Sequence, residues 1–227
     1  MRPLSAITPK PLIPVAGQAI IDRPMKALKE AGVARTIINV HYLADLIEIH
    51  ARQFDDLDIV ISDEREQLLE TGGGVKKALP LLGDDPFYLL NADSFWMEGS
   101  VNNLDLLAQH WDEKAMDGLL LLAPTVTSIG YRGRGDFLMD PYGRLRRRKA
   151  HEVSPYIYSG AAIFHPRLFE ASPTTPHSLN EEFNRAMKNG RLFGLIMDGV
   201  WMHVGTPSDI RRAERALEES STGGRYD

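Results

Sequence analysis

The chain has 227 residues, of which 43% are hydrophobic and 25% charged, with no cysteine and a formal net charge of −5. That length and balance suit one ordinary globular domain with a sizeable core, and the acidic charge argues against a sequence-independent grip on nucleic acid or anionic lipid. The lack of cysteine excludes disulfides, zinc thiolates and a cysteine nucleophile; no apolar stretch follows Arg2 to form a signal peptide, the longest clean apolar run (Leu119 to Ala123) is only strand-sized, and the expectation is a cytoplasmic protein.

The first seventeen residues are rich in proline, and Lys10 stands between Pro9 and Pro11. The two rings predict a stiff, extended, non-helical segment that aims one ammonium, as a phosphate ligand or as a solvated loop residue. Helical patterns then alternate with apolar, β-branched runs. Ile21 to Ala31, Leu43 to Gln53, Gly74 to Leu82 and Val101 to Lys114 read as helices, with Gly32 capping the first. Thr36 to Val40, Asp58 to Ser62, Phe87 to Asn91 and Leu119 to Ala123 read as strands too apolar for a sheet with one wet face. This order predicts an α/β, Rossmann-like fold, a mostly parallel sheet flanked by helices, with ligands at the strand ends. After Pro124 the texture changes to turns, with a strand from Tyr156 to Phe164 broken by Gly160, a helix from Leu179 to Lys188, and short strands near Phe193 to Met197 and Trp201 to Val204. Thr206 caps a last helix with Pro207 in its first position, and the tail from Ser220 to Asp227 is expected to be loose. No repeat or linker divides the chain.

Four constellations suit chemistry. Beside Lys10, the run Glu70, Thr71, Gly72, Gly73 and Gly74 at a helix start reads as a loop offering backbone N–H groups to a flat or anionic ligand, or as a plain turn capped by Thr71. Asn91 and Asp93 end an apolar strand, where a carboxylate is a hard ligand for Mg²⁺ or a simple cap. The fourth is Trp201 to Pro207, where His203 ends a strand before a helix start; a lone histidine there is more often structural than a ligand. The basic run Arg144 to Lys149 reads as a solvated hairpin, with an anionic sugar as its alternative partner, and His41, His50, His110 and His151 show no metal spacing.

In this order the motifs resemble those of the sugar-1-phosphate nucleotidyltransferases: Thr8 to Gly17, Glu70 to Gly74, Asn91 to Asp93, Ser159 with Gly160, and Trp201 with Val204 to Thr206. Leu69 to Gly83 and Gly133 to Phe137 look most like N-acetylmuramate-1-phosphate uridylyltransferases, with mannose-1-phosphate guanylyltransferase-like proteins next. The resemblance implies a single domain over 1–227, with a nucleotide-binding part (1–125), a sugar-binding part (126–205) and a C-terminal helix and tail (206–227). It implies a nucleoside triphosphate and a sugar 1-phosphate as substrates and Mg²⁺ as cofactor. Lys10 would act at the reacting phosphates; Glu70 to Gly74 would hold the base; Asp93 would bind the metal; Gly135, Asp136 and Gly160 would line the sugar side, and Asn91 and Trp201 would also bind substrate. The alternatives are guanylyl transfer to mannose 1-phosphate and a protein that binds nucleotides or sugar nucleotides without turnover.

The chain departs from the pattern twice. His203 stands where the family has a second metal-binding aspartate, so the candidate metal set is Asp93 with His203, and Mg²⁺ would rely on Asp93, phosphates and waters. The family also opens with an apolar strand and a glycine-rich phosphate loop directly before the residues matching Met1 to Leu4. These residues lack both, so the expectation is a longer natural chain, with a shortened protein that binds without turnover, or another segment filling the gap, as the alternatives; for these residues alone the expectation is a groove in the core, lower stability and slow or no turnover.

Overall fold

In a computed structural model describing residues 7–222, short strands β1 (Pro14–Val15) and β2 (Gln18–Ala19) precede α1 (Asp22–Glu30), β3 (Arg35–Val40), α2 (Ala44–Ala51) and β4 (Asp58–Asp63). Then come α3 (Glu70–Leu82), β5 (Phe87–Leu90), β6 (Ser94–Glu98), α4 (Asn103–His110) and β7 (Gly118–Pro124). The second half supplies β8 (Phe137–Met139), β9 (Leu145–Arg147), β10 (Tyr156–Phe164), α5 (Asn180–Lys188), β11 (Leu192–Ile196), β12 (Gly199–His203) and α6 (Pro207–Thr222). Every helix and strand read from the sequence is present within a few residues, except that α3 begins four residues early. The hairpins of β1 with β2 and β8 with β9, and the strand β6, are additions. Thr206 Oγ1 caps α6 by accepting from the Asp209 N–H at 3.3 Å, and Gly32 ends α1 with φ +75°. Ser220 to Thr222 belong to α6; the rest of the expected loose tail, like Met1 to Leu4, lies outside the described residues.

Side chains along β7 alternate between two cores, which is why its run is apolar throughout. Leu120 and Leu122 pack with Phe164, Phe169 and Phe183 on the α5 side, while Leu119, Leu121 and Ala123 pack with Leu104 and Leu107 of α4. The class is α/β, with a mixed sheet. β11 pairs parallel with β7, and β3 parallel with β4, but β10 runs antiparallel to β7, β5 and β8. Apolar runs report burial, not direction, so the reversal of β10 left no mark in the sequence. Gly160 sits at a register shift in β10 with φ +89°.

β3 pairs with β4 alone and β5 with β10 alone among the described residues. Between their facing edges runs a groove of about 750 Å³, floored by Val75 and Ala78 of α3 and by Met25 and Leu28 of α1. All four residues of β5 are only half-buried. The strand edges facing it have no ladder partner among the described residues. Among the described residues no helix is long and apolar enough to cross a membrane.

Candidate active site

Lys10 does not lie on an extended segment. Pro9 and Pro11 frame one turn of 3₁₀ helix, Lys10–Leu12, in which the Leu12 N–H donates to the Pro9 carbonyl at 2.9 Å. Proline's fixed φ fits the first positions of such a turn as well as it fits extended chain. The turn carries the Lys10 ammonium to the end of β5, where Nζ donates to Asp93 Oδ2 at 2.9 Å. The two side chains are 28% and 42% exposed, so the pair remains open to a ligand. Asp93 Oδ1 has no hydrogen-bond partner among the described residues.

β6 and β12 form the ladder beyond Asp93, with Ser94 opposite His203 and the Val204 N–H donating to the Asp93 carbonyl at 3.4 Å. The His203 ring stacks on Trp201, centroids 5.8 Å apart and planes 22° from parallel. Trp201 is 5% exposed and gives its indole N–H to the Ser159 carbonyl at 2.7 Å. The same carbonyl accepts from Ser94 Oγ at 3.0 Å, and a Cβ at Gly160 would lie 2.9 Å from that hydroxyl and 3.0 Å from Asn91. Asn91, Gly160, Ser94 and Trp201 are therefore one tightly packed support under the end of β5.

The glycine run is not a loop. Glu70, at φ +58°, opens α3, and Gly72, Gly73 and Gly74 are buried in its first two turns. The N–H groups of Gly72 and Gly73 donate to the His177 carbonyl at 2.9 and 3.3 Å rather than standing free for a ligand. Thr71 Oγ1 accepts from the Leu179 N–H at 3.1 Å. The glycines are required by close approach: a Cβ would meet His177 Cδ2 at 2.5 Å from Gly72, the Thr175 carbonyl at 2.9 Å from Gly73, and Glu64 Oε1 at 2.8 Å from Gly74. Three glycines in a row signal tight packing as readily as ligand contact, and composition does not separate the two.

His177, Glu182, Glu64 and Asn39 brace this helix start and carried no signal in the sequence, because their partners are remote in the chain. His177 Nε2 lies 3.1 Å from Glu182 Oε1, with the side chains 3% and 0% exposed. Glu182 Oε2 is buried without a partner. Glu64 accepts from Asn39 Nδ2 at 2.7 Å and from the Leu69 N–H at 3.0 Å. Glu64, Glu70, Thr71 and Gly74 share the mouth of the groove with Asn91 and Ala92, so the α3 start and the end of β5 face one opening.

On the far side, Gly135 (φ +74°) packs against Ser154 and receives Arg148 Nε on its carbonyl at 2.8 Å. Asp136 Oδ2 accepts from the Tyr158 N–H at 3.0 Å. Burial raises the Tyr131 phenol above its ordinary pKa, the Asp136 charge adding to it, and burial alone raises Tyr158, whose hydroxyl is unpartnered. Both phenols are neutral at neutral pH.

The family whose sequence model is described as "Nucleotidyl transferase" matches residues 1–131. The chain belongs to this family. It is 43% identical over 224 residues to N-acetylmuramate alpha-1-phosphate uridylyltransferase of Caulobacter vibrioides, covering 97% of this chain and 93% of that protein. It is 29% identical to the enzyme of the same name from Neisseria meningitidis serogroup B, over 94% and 91% of the two chains. HddC from Yersinia pseudotuberculosis, solved with GMP-PN, superposes with a TM-score of 0.71 over 96% of this chain and 93% of that one at 20% identity, which shows a shared fold. Members of this sugar-1-phosphate nucleotidyltransferase family typically use Mg²⁺. The donor set here fits a hard cation that keeps most of its waters: one half-exposed carboxylate with a free oxygen, and no cluster of three or more acidic or histidine ligands among the described residues.

Proposed function

We propose that this nucleotidyltransferase joins UTP to N-acetylmuramate 1-phosphate, giving the UDP-sugar and pyrophosphate. The identity to the Caulobacter vibrioides enzyme along nearly the whole chain supports the choice of substrates. The observation that carries the chemistry is the Lys10–Asp93 contact, which joins the two motifs that the family resemblance assigns to the reacting phosphates, 83 residues apart.

In this reading a phosphate oxygen of the sugar attacks the α-phosphorus of UTP, a P–O bond forms, and the bond to the bridging oxygen of pyrophosphate breaks. The nucleophile is already an anion, so no general base is required, and positioning with electrostatic stabilisation supplies the acceleration. The Lys10 ammonium faces the charge on the transferring phosphoryl group. Asp93 orients that ammonium through Oδ2 and would hold Mg²⁺ through Oδ1; the bound ion would neutralise phosphate charge. His203, engaged with Trp201, is a support beside the metal position. The α3 start from Glu70 to Gly74, with Asn91, forms the nucleotide side within residues 1–125, and Gly135, Asp136, Gly160 and Trp201 shape the sugar side within 126–205.

A pyrophosphate-release assay with the four ribonucleoside triphosphates and N-acetylmuramate, N-acetylglucosamine and mannose 1-phosphates tests the proposal. UTP with the acidic sugar is expected to be the fastest pair. Release with GTP and mannose 1-phosphate alone, or nucleotide binding without release, would refute it.

A further inference from the structure

The cations around the sugar side divide into those already engaged and those not. In the β8–β9 hairpin and the turn after it, Arg144 lies over the Phe193 ring at 5.7 Å and Arg147 over Phe137 at 4.6 Å. Arg146 binds Glu152 at 2.8 Å, and Arg148 is bound to the Gly135 carbonyl. Lys149 gives its backbone N–H to Glu152 Oε2 at 2.9 Å, while its exposed ammonium has no partner among the described residues. The basic run is thus largely committed to the fold. Arg132 and Arg134 are exposed, and neither guanidinium has a partner among the described residues.

The loop bearing them is held in place. The Gly135 N–H donates to the Tyr131 hydroxyl at 2.9 Å, and the Ser154 N–H to the Arg134 carbonyl at 2.8 Å. A Cβ at Gly133 would collide with the Tyr131 ring, and one at Gly135 with the Ser154 backbone. Tyr131 packs edge-on against Trp201 at 6.4 Å, and the His203 N–H donates to the Ile129 carbonyl at 2.9 Å. An ordered frame therefore presents two uncommitted guanidiniums beside the strand end that borders Asp93, on a chain whose net charge of −5 would otherwise repel an anionic sugar.

We propose that Arg132 and Arg134 select the sugar by binding a carboxylate on it. N-acetylmuramate differs from N-acetylglucosamine by a lactyl ether ending in a carboxylate, and a guanidinium meets a carboxylate with two parallel N–H bonds. Asp136, the acid of the same loop, is turned inward to the Tyr158 N–H. The inference rests on the uridylyltransferase reading above.

The test is calorimetric binding of N-acetylmuramate 1-phosphate and N-acetylglucosamine 1-phosphate to the full chain with Mg²⁺ and the α,β-methylene analogue of UTP, whose bridging carbon blocks transfer, for the wild type, Arg132→Gln, Arg134→Gln and the double variant. The wild type is expected to prefer the acidic sugar. The double variant is expected to lose about tenfold or more in affinity for it, the size of a charge-assisted hydrogen bond, while the neutral sugar changes by no more than about twofold. Equal losses for both sugars, or no loss for the acidic one, overturn the inference and leave the uridylyltransferase reading standing. Failure of the wild type to bind either sugar overturns that reading itself, and unchanged thermal unfolding of the variants confirms that the loop's frame is intact.

Discussion

Gly72→Ala is the sharpest probe of how the start of α3 is built. An alanine in a helix interior gains about 1 kcal/mol over glycine, so propensity alone predicts a stabilised protein. The structure predicts the reverse. The new Cβ would lie 2.5 Å from His177 Cδ2, 2.7 Å from Nε2 and 3.0 Å from Glu182 Oε2. The imidazole has little room to retreat, because Nδ1 meets the Thr175 carbonyl at 2.8 Å, Nε2 meets Glu182, and the ring is buried. Overpacking costs about 1–3 kcal/mol, and breaking the buried His177–Glu182 contact adds about 1–3 kcal/mol. Against the propensity gain the net is a loss of about 3 kcal/mol, or about 6–12 °C in Tm for a chain of this size. Thermal unfolding of Gly72→Ala, His177→Ala and the double variant measures it. The double variant should be more stable than the sum of the singles by about 1 kcal/mol, since the small residue at 177 relieves the clash. A Tm equal to or above wild type for Gly72→Ala, or strict additivity, would refute the packing argument.

Lys10→Ala should lower kcat for pyrophosphate release by about 10²–10³, the cost of losing one group aimed at developing charge, while moving stability by under about 1 kcal/mol because its ion pair is partly solvent-exposed. A loss seen in Tm but not in kcat would place Lys10 outside the chemistry. His203→Asp should leave Mg²⁺-dependent turnover intact or raise it, since the imidazole is occupied with Trp201; complete loss would show that the histidine itself is needed. Asp117, 13% exposed, binds Arg167 at 2.6 Å and Arg191 at 2.8 Å. Burial works to raise its pKa, but the two guanidiniums outweigh it and hold the group below 3.8. A folded pKa below the unfolded one makes this contribution present above about pH 4 and lost as pH falls through the lowered value. Asp117→Asn should cost about 2–4 kcal/mol at pH 7 in urea unfolding, with the gap from wild type closing in acid; a gap independent of pH would contradict this.

Much of the architecture was legible because burial leaves a local trace. Leu119 to Ala123 had to be covered on both faces, and Thr206-Pro207 had to start a helix; both hold. Lys10 and Asp93 were legible as separate features, each with a bland alternative, and their contact depends on the fold bringing two distant segments together. What stayed hidden is long-range. Nothing local marks β10 as antiparallel. Nothing in Gly72 to Gly74 says that their close neighbours include His177, Thr175 and Glu64. The Arg144 to Lys149 run was legible as a hairpin, but the sequence does not show that Arg147 lies over Phe137, nor that the Arg132 and Arg134 guanidiniums lack partners among the described residues.

The groove ties stability to the site. The nucleotide side has two walls, the α3 start against β3 and the Asn91 to Asp93 turn after β5, and among the described residues no strand hydrogen bonds join β3 to β5. Val75 and Ala78 of α3 and Met25 and Leu28 of α1 line the space between them. The Lys10–Asp93 contact draws on both sides: Asp93 follows β5, while Leu12 of the Lys10 turn packs with Ile21, Met25 and Val40. A change in the groove should therefore alter nucleotide affinity and the position of Lys10 together.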